Sequence, residues 1–175
     1  MLKVNNIFLN WLPFQKKIME KKTYHFEYQK FNNLTQLTED DRLLVECSIR
    51  AAEKAYAPYS QFRVGAALLL ENGEILSGNN QENASYPVGV CAERTLLSYA
   101  HANFPDLKKI KLAVSVLDTD QDVSPCGLCR QTLLEYETIQ NQNLEILLHN
   151  NSGSTLVIPA ASVLLPLHFD KSSLA

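Results

Sequence analysis

From Leu37 onward the chain switches between helical and extended hydrophobic periods. Leu43, Leu44, Cys47, Ala51 and Ala55 recur at the spacing of one helix face. Thr38 followed by Glu39, Asp40 and Asp41 supplies an N-cap and an acidic first turn, and Pro58 sets the far limit. Cys47 falls on the apolar stripe and is expected as a buried free thiol. Phe62 to Leu70 reads as a strand, with a run at Ala66-Ala67-Leu68-Leu69-Leu70 too apolar for a sheet covered on one side only. Asn72-Gly73 is a tight hairpin turn, and Glu74 to Gly78 is the returning strand. A loop rich in Asn and Ser leads to a helix predicted from Cys91 to Ala102, with Leu96, Leu97 and Ala100 on one side. Leu112 to Leu117 is a buried strand. Ser124-Pro125 opens a second helix from Cys126 to about Ile139, because proline in a first turn sacrifices no hydrogen bond. Leu144 to Leu148 and Thr155 to Ile158 are further strands about a turn at Asn151-Ser152-Gly153, and Ser162 to Leu165 is a last helical turn before Pro166.

Strands alternating with helices predict a layered α/β domain on a mixed five-stranded sheet, with the first pair antiparallel and the later, helix-connected strands parallel. Residues 1–30 stand apart as an N-terminal extension, and residues 31–175 form the domain. Within the extension, Ile7 to Leu12 is apolar apart from Asn10 but stops at Pro13. Basic residues follow that run instead of leading it, which makes a poor signal peptide. Met19 is an alternative start. No stretch approaches 18 apolar residues, so no membrane span is expected, and a cytoplasmic location is.

Composition changes this picture little. The chain has 175 residues, 46% apolar and 20% charged, with a net charge of −3. That balance points to one ordinary domain and away from nucleic-acid binding, which favours a basic face. The short runs Lys16-Lys17, Lys21-Lys22 and Lys108-Lys109 with Lys111 read as solvated surface.

The four cysteines change it more. An even number allows two disulfides, but three of the four cluster around two motifs, which favours a metal or catalysis in a reducing cytosol. Cys126-x-x-Cys129 opens one predicted helix and Cys91 opens the other. A spacing of i, i+3 brings two thiols to one side of a turn, and helix N-termini favour thiolates. These three are expected to hold one Zn²⁺. No fourth Cys or His lies at ligand spacing: His101 is ten residues beyond Cys91, and His25, His149 and His168 are remote. Structural zinc sites are closed by four protein ligands, whereas catalytic ones keep a position open for water. Glu93 follows Cys91 by two residues and is placed to move that water's proton. Three thiolates on Zn²⁺ sum to −1, so a cation nearby is expected: Arg94, with Arg130 as a second candidate.

Cys91-Ala92-Glu93-Arg94 together with Pro125-Cys126-x-x-Cys129-Arg130-Gln131 resembles the zinc-dependent, three-cysteine class of cytidine deaminases. The resemblance extends to Ala57-Pro58-Tyr59-Ser60-x-Phe62-x-Val64-Gly65-Ala66-Ala67, to Asn80-x-Glu82-Asn83-Ala84-x-Tyr86 and to Leu164-Leu165-Pro166-x-x-Phe169. Gln81, where the family often has an apolar residue, and the Pro87-Val88-Gly89-Val90 loop depart from its commonest version. The resemblance implies a three-layer α/β/α fold and hydrolytic deamination of cytidine and 2′-deoxycytidine, with zinc-activated water attacking C4. It implies Glu93 as proton shuttle and Cys91, Cys126 and Cys129 as ligands of one zinc per subunit. Phe62 would stack on the pyrimidine, Asn80 and Glu82 would bind the ribose hydroxyl, and Ala92 and Glu93 would read the base. Arg94 would neutralise the thiolates. It further implies a homotetramer in which Ala84, Tyr86 and Phe169 complete a neighbour's site. Independently, an Asn and a Glu two apart in an extended loop point the same way.

Overall fold

Gly65 decides how the first helix meets the sheet. In the computed structural model of the chain, which describes residues 20–174, a Cβ on Gly65 would lie 2.0 Å from the Ser48 carbonyl oxygen and 2.3 Å from the Ala52 nitrogen. Helix α1 (Glu39–Ala52) therefore rests directly on the backbone of strand β2 (Val64–Leu70). Thr38 caps α1, its Oγ1 accepting the Asp41 N–H at 3.2 Å. Leu44 and Val45 pack on Ala67, Ala113 and Leu147 beneath, and the buried Ser48 and Ser115 hydroxyls meet at 2.5 Å.

The other elements are β1 (Gln29–Phe31), β3 (Ile75–Asn79), α2 (Ala92–Asn103), β4 (Lys109–Val116), α3 (Gly127–Gln140), β5 (Glu145–Asn150) and β6 (Thr155–Ile158). The sheet order is β1-β6-β5-β4-β2-β3. Helices α2 and α3 cover the face opposite α1: Leu96, Leu97, Ala100 and Leu133 bury Leu68, Leu112 and Ile146. The result is the expected three-layer α/β/α arrangement on a mixed sheet. Burial on both faces accounts for the uninterrupted apolar run in β2.

Several expectations need correcting. Among the described residues the sheet has six strands, not five, because the short β1 pairs antiparallel with β6. Among the described residues only β4 and β5 pair in parallel. Helix α2 joins β3 to β4, but β4 docks beside β2, the other arm of the hairpin, so that contact is antiparallel. Cys47 is half-buried at the margin of the α1 stripe, with Arg50 Nη2 3.0 Å from its Sγ. The apolar run at Ile7 to Leu12 and the alternative start at Met19 lie outside the described residues. No helix among the described residues is long and apolar enough to cross a membrane.

Buried polar groups tie the layers together. The Glu137 carboxylate of α3 accepts the N–H groups of Leu144 at 2.9 Å, Ala161 at 2.7 Å and Ser162 at 3.0 Å. One side chain thus fixes the entry to β5 and the 3-10 turn Ala161–Leu164. The two parallel strands β4 and β5 end on the same edge, and α3 leaves from the end of β4. In α/β sheets this carboxyl end is where ligands gather.

Candidate active site

Both helices on the α2/α3 face begin with a cysteine. Cys91 is the N-cap of α2 and Cys126 the N-cap of α3; both are extended, and neither side chain makes a capping hydrogen bond. Cys129, in the first turn of α3, is buried. The three Sγ atoms lie within 4.8 Å of one another, with Cys91 to Cys126 at 4.0 Å and Cys126 to Cys129 at 3.5 Å. Zinc–sulfur bonds of about 2.3 Å in a tetrahedron put sulfurs roughly 3.8 Å apart, so the spacing fits one ion. No fourth Cys, His, Asp or Glu among the described residues joins the group.

The thiols also titrate as a crowded set. Cys91 is pulled down to about 6, mainly by its hydrogen bond with Cys129, helped by Cys126 and the Arg94 charge and opposed by burial. Cys129 is pushed up, by its partnership with Cys91 and by burial. The first thiolate is welcomed by its neighbours, and the next must form beside negative charge. A bound cation removes that conflict.

Glu93, in the first turn of α2, is only 4% exposed. Burial raises its carboxyl above the ordinary carboxylate range, and the neighbouring Cys91 adds to the rise. A pocket of about 260 Å³ opens beside it. Cys91, Glu93 and Cys126 line one side of that pocket. Phe62, Val64, Val114, Val116 and Leu148 give it apolar walls, and Ser60, Asn80, Glu82 and the segment Val123–Pro125 complete it.

Asn80 and Glu82 both reach the pocket, and both are also engaged with the chain. Asn80 accepts the Val64 N–H at 2.8 Å and donates to the Phe62 carbonyl at 2.9 Å. Glu82 accepts the N–H groups of Tyr59 at 2.8 Å and Ser60 at 3.2 Å, and the Ser60 hydroxyl. That hydroxyl first, then the Tyr59 N–H, hold the Glu82 carboxyl below its usual range. The two side chains therefore clamp the segment that presents Phe62. Gln61 within it sits at φ 57°, left-handed for a non-glycine residue.

The sequence reading missed three supports. Ser60 fixes Glu82. Asp118 accepts the Arg63 backbone N–H at 2.7 Å and its guanidinium at 2.7 Å, joining the Phe62 segment to the end of β4. Arg130 does not reach the thiols; it donates to the Pro125 carbonyl at 2.8 Å, the Leu164 carbonyl at 3.1 Å and the Ser124 hydroxyl at 2.9 Å, bracing the turn before Cys126. Ser60 and Glu82, Arg63 and Asp118, and Arg130 and Leu164 are 22, 55 and 34 residues apart and leave no local signal.

The remaining expected residues divide. Ala92 is buried at the start of α2. Arg94 is half-buried, and its side chain makes no hydrogen bond or ion pair among the described residues. Ala84, Tyr86 and Phe169 are exposed and do not line this pocket; Tyr86 is 76% and Phe169 57% exposed. The Tyr86 ring leans on Tyr59 at 6.0 Å, and the Phe169 carbonyl accepts from Gln131 at 2.8 Å. His149 is buried against Thr155, away from the cysteines.

Thiols gathered at two helix starts, with a buried carboxyl at their side and a water-accessible pocket before them, define a hydrolytic zinc enzyme. A sequence model of the cytidine and deoxycytidylate deaminase zinc-binding region matches residues 38–143. A cytidine deaminase of Sporosarcina psychrophila is 41% identical over 135 residues, covering 77% of this chain and 94% of that protein. One from Halalkalibacterium halodurans is 45% identical over 97 residues, 55% of this chain and 71% of its own length. The crystal structure of cytidine deaminase from Burkholderia pseudomallei superposes with a TM-score of 0.66 at 40% identity, covering 76% of this chain and all of that one. That from Mycobacterium tuberculosis gives 0.60 at 32% identity, over 75% and 98% of the two chains. The chain belongs to the cytidine and deoxycytidylate deaminase family.

Proposed function

We propose that the chain hydrolyses cytidine and 2′-deoxycytidine to uridine and 2′-deoxyuridine with release of ammonia, as in pyrimidine salvage. The observation that carries this is the buried Glu93 carboxyl, set between the thiol cluster and an apolar pocket of about 260 Å³. Cys91, Cys126 and Cys129 would hold one zinc per subunit, which supplies a Lewis acid that makes water nucleophilic near neutral pH. Glu93 takes a proton from the attacking water and passes it to N3 of the base. A second proton follows the same route to the exocyclic amine, which leaves as ammonia while C4 becomes a carbonyl. Phe62 stacks on the pyrimidine, and the Ala92 backbone with Glu93 reads its polar edge. Asn80 and Glu82 use the lone pairs and hydrogens left over from their clamp to hold the ribose hydroxyl. Arg94 offsets the negative charge of three thiolates.

Residues 31–175 are the catalytic domain on this reading, and the location is cytoplasmic. The chain works as a homotetramer, with the exposed Ala84, Tyr86 and Phe169 completing a neighbour's site. A sedimenting mass near that of one chain, 19.7 kDa, refutes the tetramer. The activity is tested by following the loss of cytidine absorbance and the ammonia released. Turnover of cytidine and deoxycytidine, with cytosine and deoxycytidine monophosphate poor, is expected. Preference for the free base or the monophosphate overturns the nucleoside assignment.

A further inference from the structure

The segment joining β4 to α3, residues 117–126, supplies part of the pocket wall, Val123 to Pro125, and ends in the thiol of Cys126. Three aspartates at alternate positions fasten it to other elements. Asp118 takes the Arg63 fork described above. Asp120 accepts the Asn151 amide at 3.0 Å on its carboxylate and the Asn150 amide at 3.1 Å on its carbonyl. Asp122 stands next to the pocket wall and has three partners. Its Oδ1 accepts from Asn150 Nδ2 at 3.1 Å, at the end of β5, and from Ser154 Oγ at 3.2 Å, in the turn to β6. Its Oδ2 receives Lys30 Nζ at 2.6 Å.

Lys30 is the central residue of β1, registered opposite Leu156 of β6, and lies outside residues 38–143 that match the family. We propose that Asp122, held by Lys30 from β1, is a positioning residue that sets the Val123–Pro125 wall and the Cys126 thiol against the other two cysteines. Arg130 braces the far end of the same short segment at Ser124 and Pro125. Asp122 braces the near end, and only Val123 lies between the two braces. Proline stiffens the piece, so a shift at Asp122 passes on to Cys126 instead of being absorbed. The Lys30 ion pair is partly exposed, with side-chain accessibilities of 48% and 33%, and adds little stability. Its effect is directional: it fixes which way the carboxylate turns, and it balances one of three negative charges in a loop that leads into thiolates.

The activity arm of the test rests on the deaminase reading; the metal arm does not. Full-length Lys30→Met, Asp122→Asn, the double variant and Lys30→Arg are compared for kcat and KM with cytidine, for the rate at which a chromogenic chelator captures zinc, and for thermal stability. Asp122→Asn is expected to speed zinc release and lower kcat/KM by about tenfold, the scale on which supporting partners of ligands act. Lys30→Met should move both in the same direction by a smaller factor. The double variant should be no worse than Asp122→Asn, because the two residues act as one unit. Lys30→Arg should restore both readouts. Wild-type zinc release and kinetics in Asp122→Asn, with only a lowered melting temperature, make the contact merely structural and overturn the proposal, as do additive effects in the double variant. Should Asp122→Asn fail to fold, Lys30→Met and Ser154→Ala carry the same comparison. If the wild type does not turn over cytidine, the deaminase reading falls, while the zinc-release series still decides this one.

Discussion

Helix α1 and the pair α2 and α3 start in opposite ways. Thr38 at the head of α1 accepts a backbone N–H, and Glu39, Asp40 and Asp41 follow it. Cys91 and Cys126 at the heads of α2 and α3 cap nothing, and the first turn of α3 holds no acid. An oxygen-bearing N-cap stabilises a helix by about 0.5–2 kcal/mol over a residue that cannot cap. The two helices at the pocket forgo that contribution, and the helix away from it keeps it. Their positive ends are left beside the thiol cluster, and a helix N-terminus is a place that suits negative charge. The start of α1 carries an oxygen cap that adds stability, and the starts of α2 and α3 carry thiols that could hold a metal instead.

Replacing Cys91 by serine tests this contrast most severely. The serine hydroxyl can cap α2 as Thr38 caps α1, but it cannot serve as a third thiolate. We expect zinc content to collapse and turnover to fall by at least ~10³-fold, equivalent to about 4 kcal/mol of lost Lewis-acid assistance. In chelator, chemical denaturation should show the variant as stable as the metal-free parent or up to about 1 kcal/mol more so. A zinc-replete serine variant would break the comparison outright. Glu93→Gln comes next. Turnover should drop by about 10²–10⁴-fold with zinc retained, the range of general acid–base catalysis. Because burial disfavours the ionised carboxyl, the amide should cost no stability at neutral pH. Near-normal turnover with a lowered melting point would make Glu93 a structural residue.

On the α1 side the largest effect is expected at Gly65. An alanine methyl would press on the Ser48 carbonyl and the Ala52 nitrogen, both backbone atoms that cannot yield unless α1 moves. A loss of about 3 kcal/mol in unfolding free energy is expected, at the upper end of ordinary overpacking. Unchanged stability would mean that α1 sits looser on β2 than the contact requires.

The metal half of this contrast was legible in the sequence because its signals are local. A Cys-x-x-Cys after Ser-Pro, and a Cys two residues before a Glu, fix position by spacing within one turn. The helices and strands were legible for the same reason, since hydrophobic period is a property of neighbours. Strand partners are not local: nothing in β4 says that it docks on β2 instead of β3. Strand β1 is Gln29-Lys30-Phe31, three residues with no period to read, and it exists because β6 offers an edge. The second roles of Asn80 and Glu82 were hidden because Val64, Phe62, Tyr59 and Ser60 are 16 to 23 residues away in the chain. Ala84, Tyr86 and Phe169 entered only through family resemblance, and a single chain leaves them outside the pocket.

The smallest effect is expected at Thr38, and it bears on whether the two kinds of helix start are independent. Thr38→Ala removes the one side-chain bond to the Asp41 N–H and leaves the acidic first turn in place. About 1 kcal/mol of stability should be lost, a fall of about 3 °C in Tm for a chain of this length. Zinc content, kcat and KM should match the parent, because α1 lies across the sheet from the thiols and none of its residues lines the pocket. A drop in zinc retention would mean that the start of α1 is coupled through β2 and Val64 to the metal end. The three helix starts would then form one connected design, and the contrast between them would be one of degree.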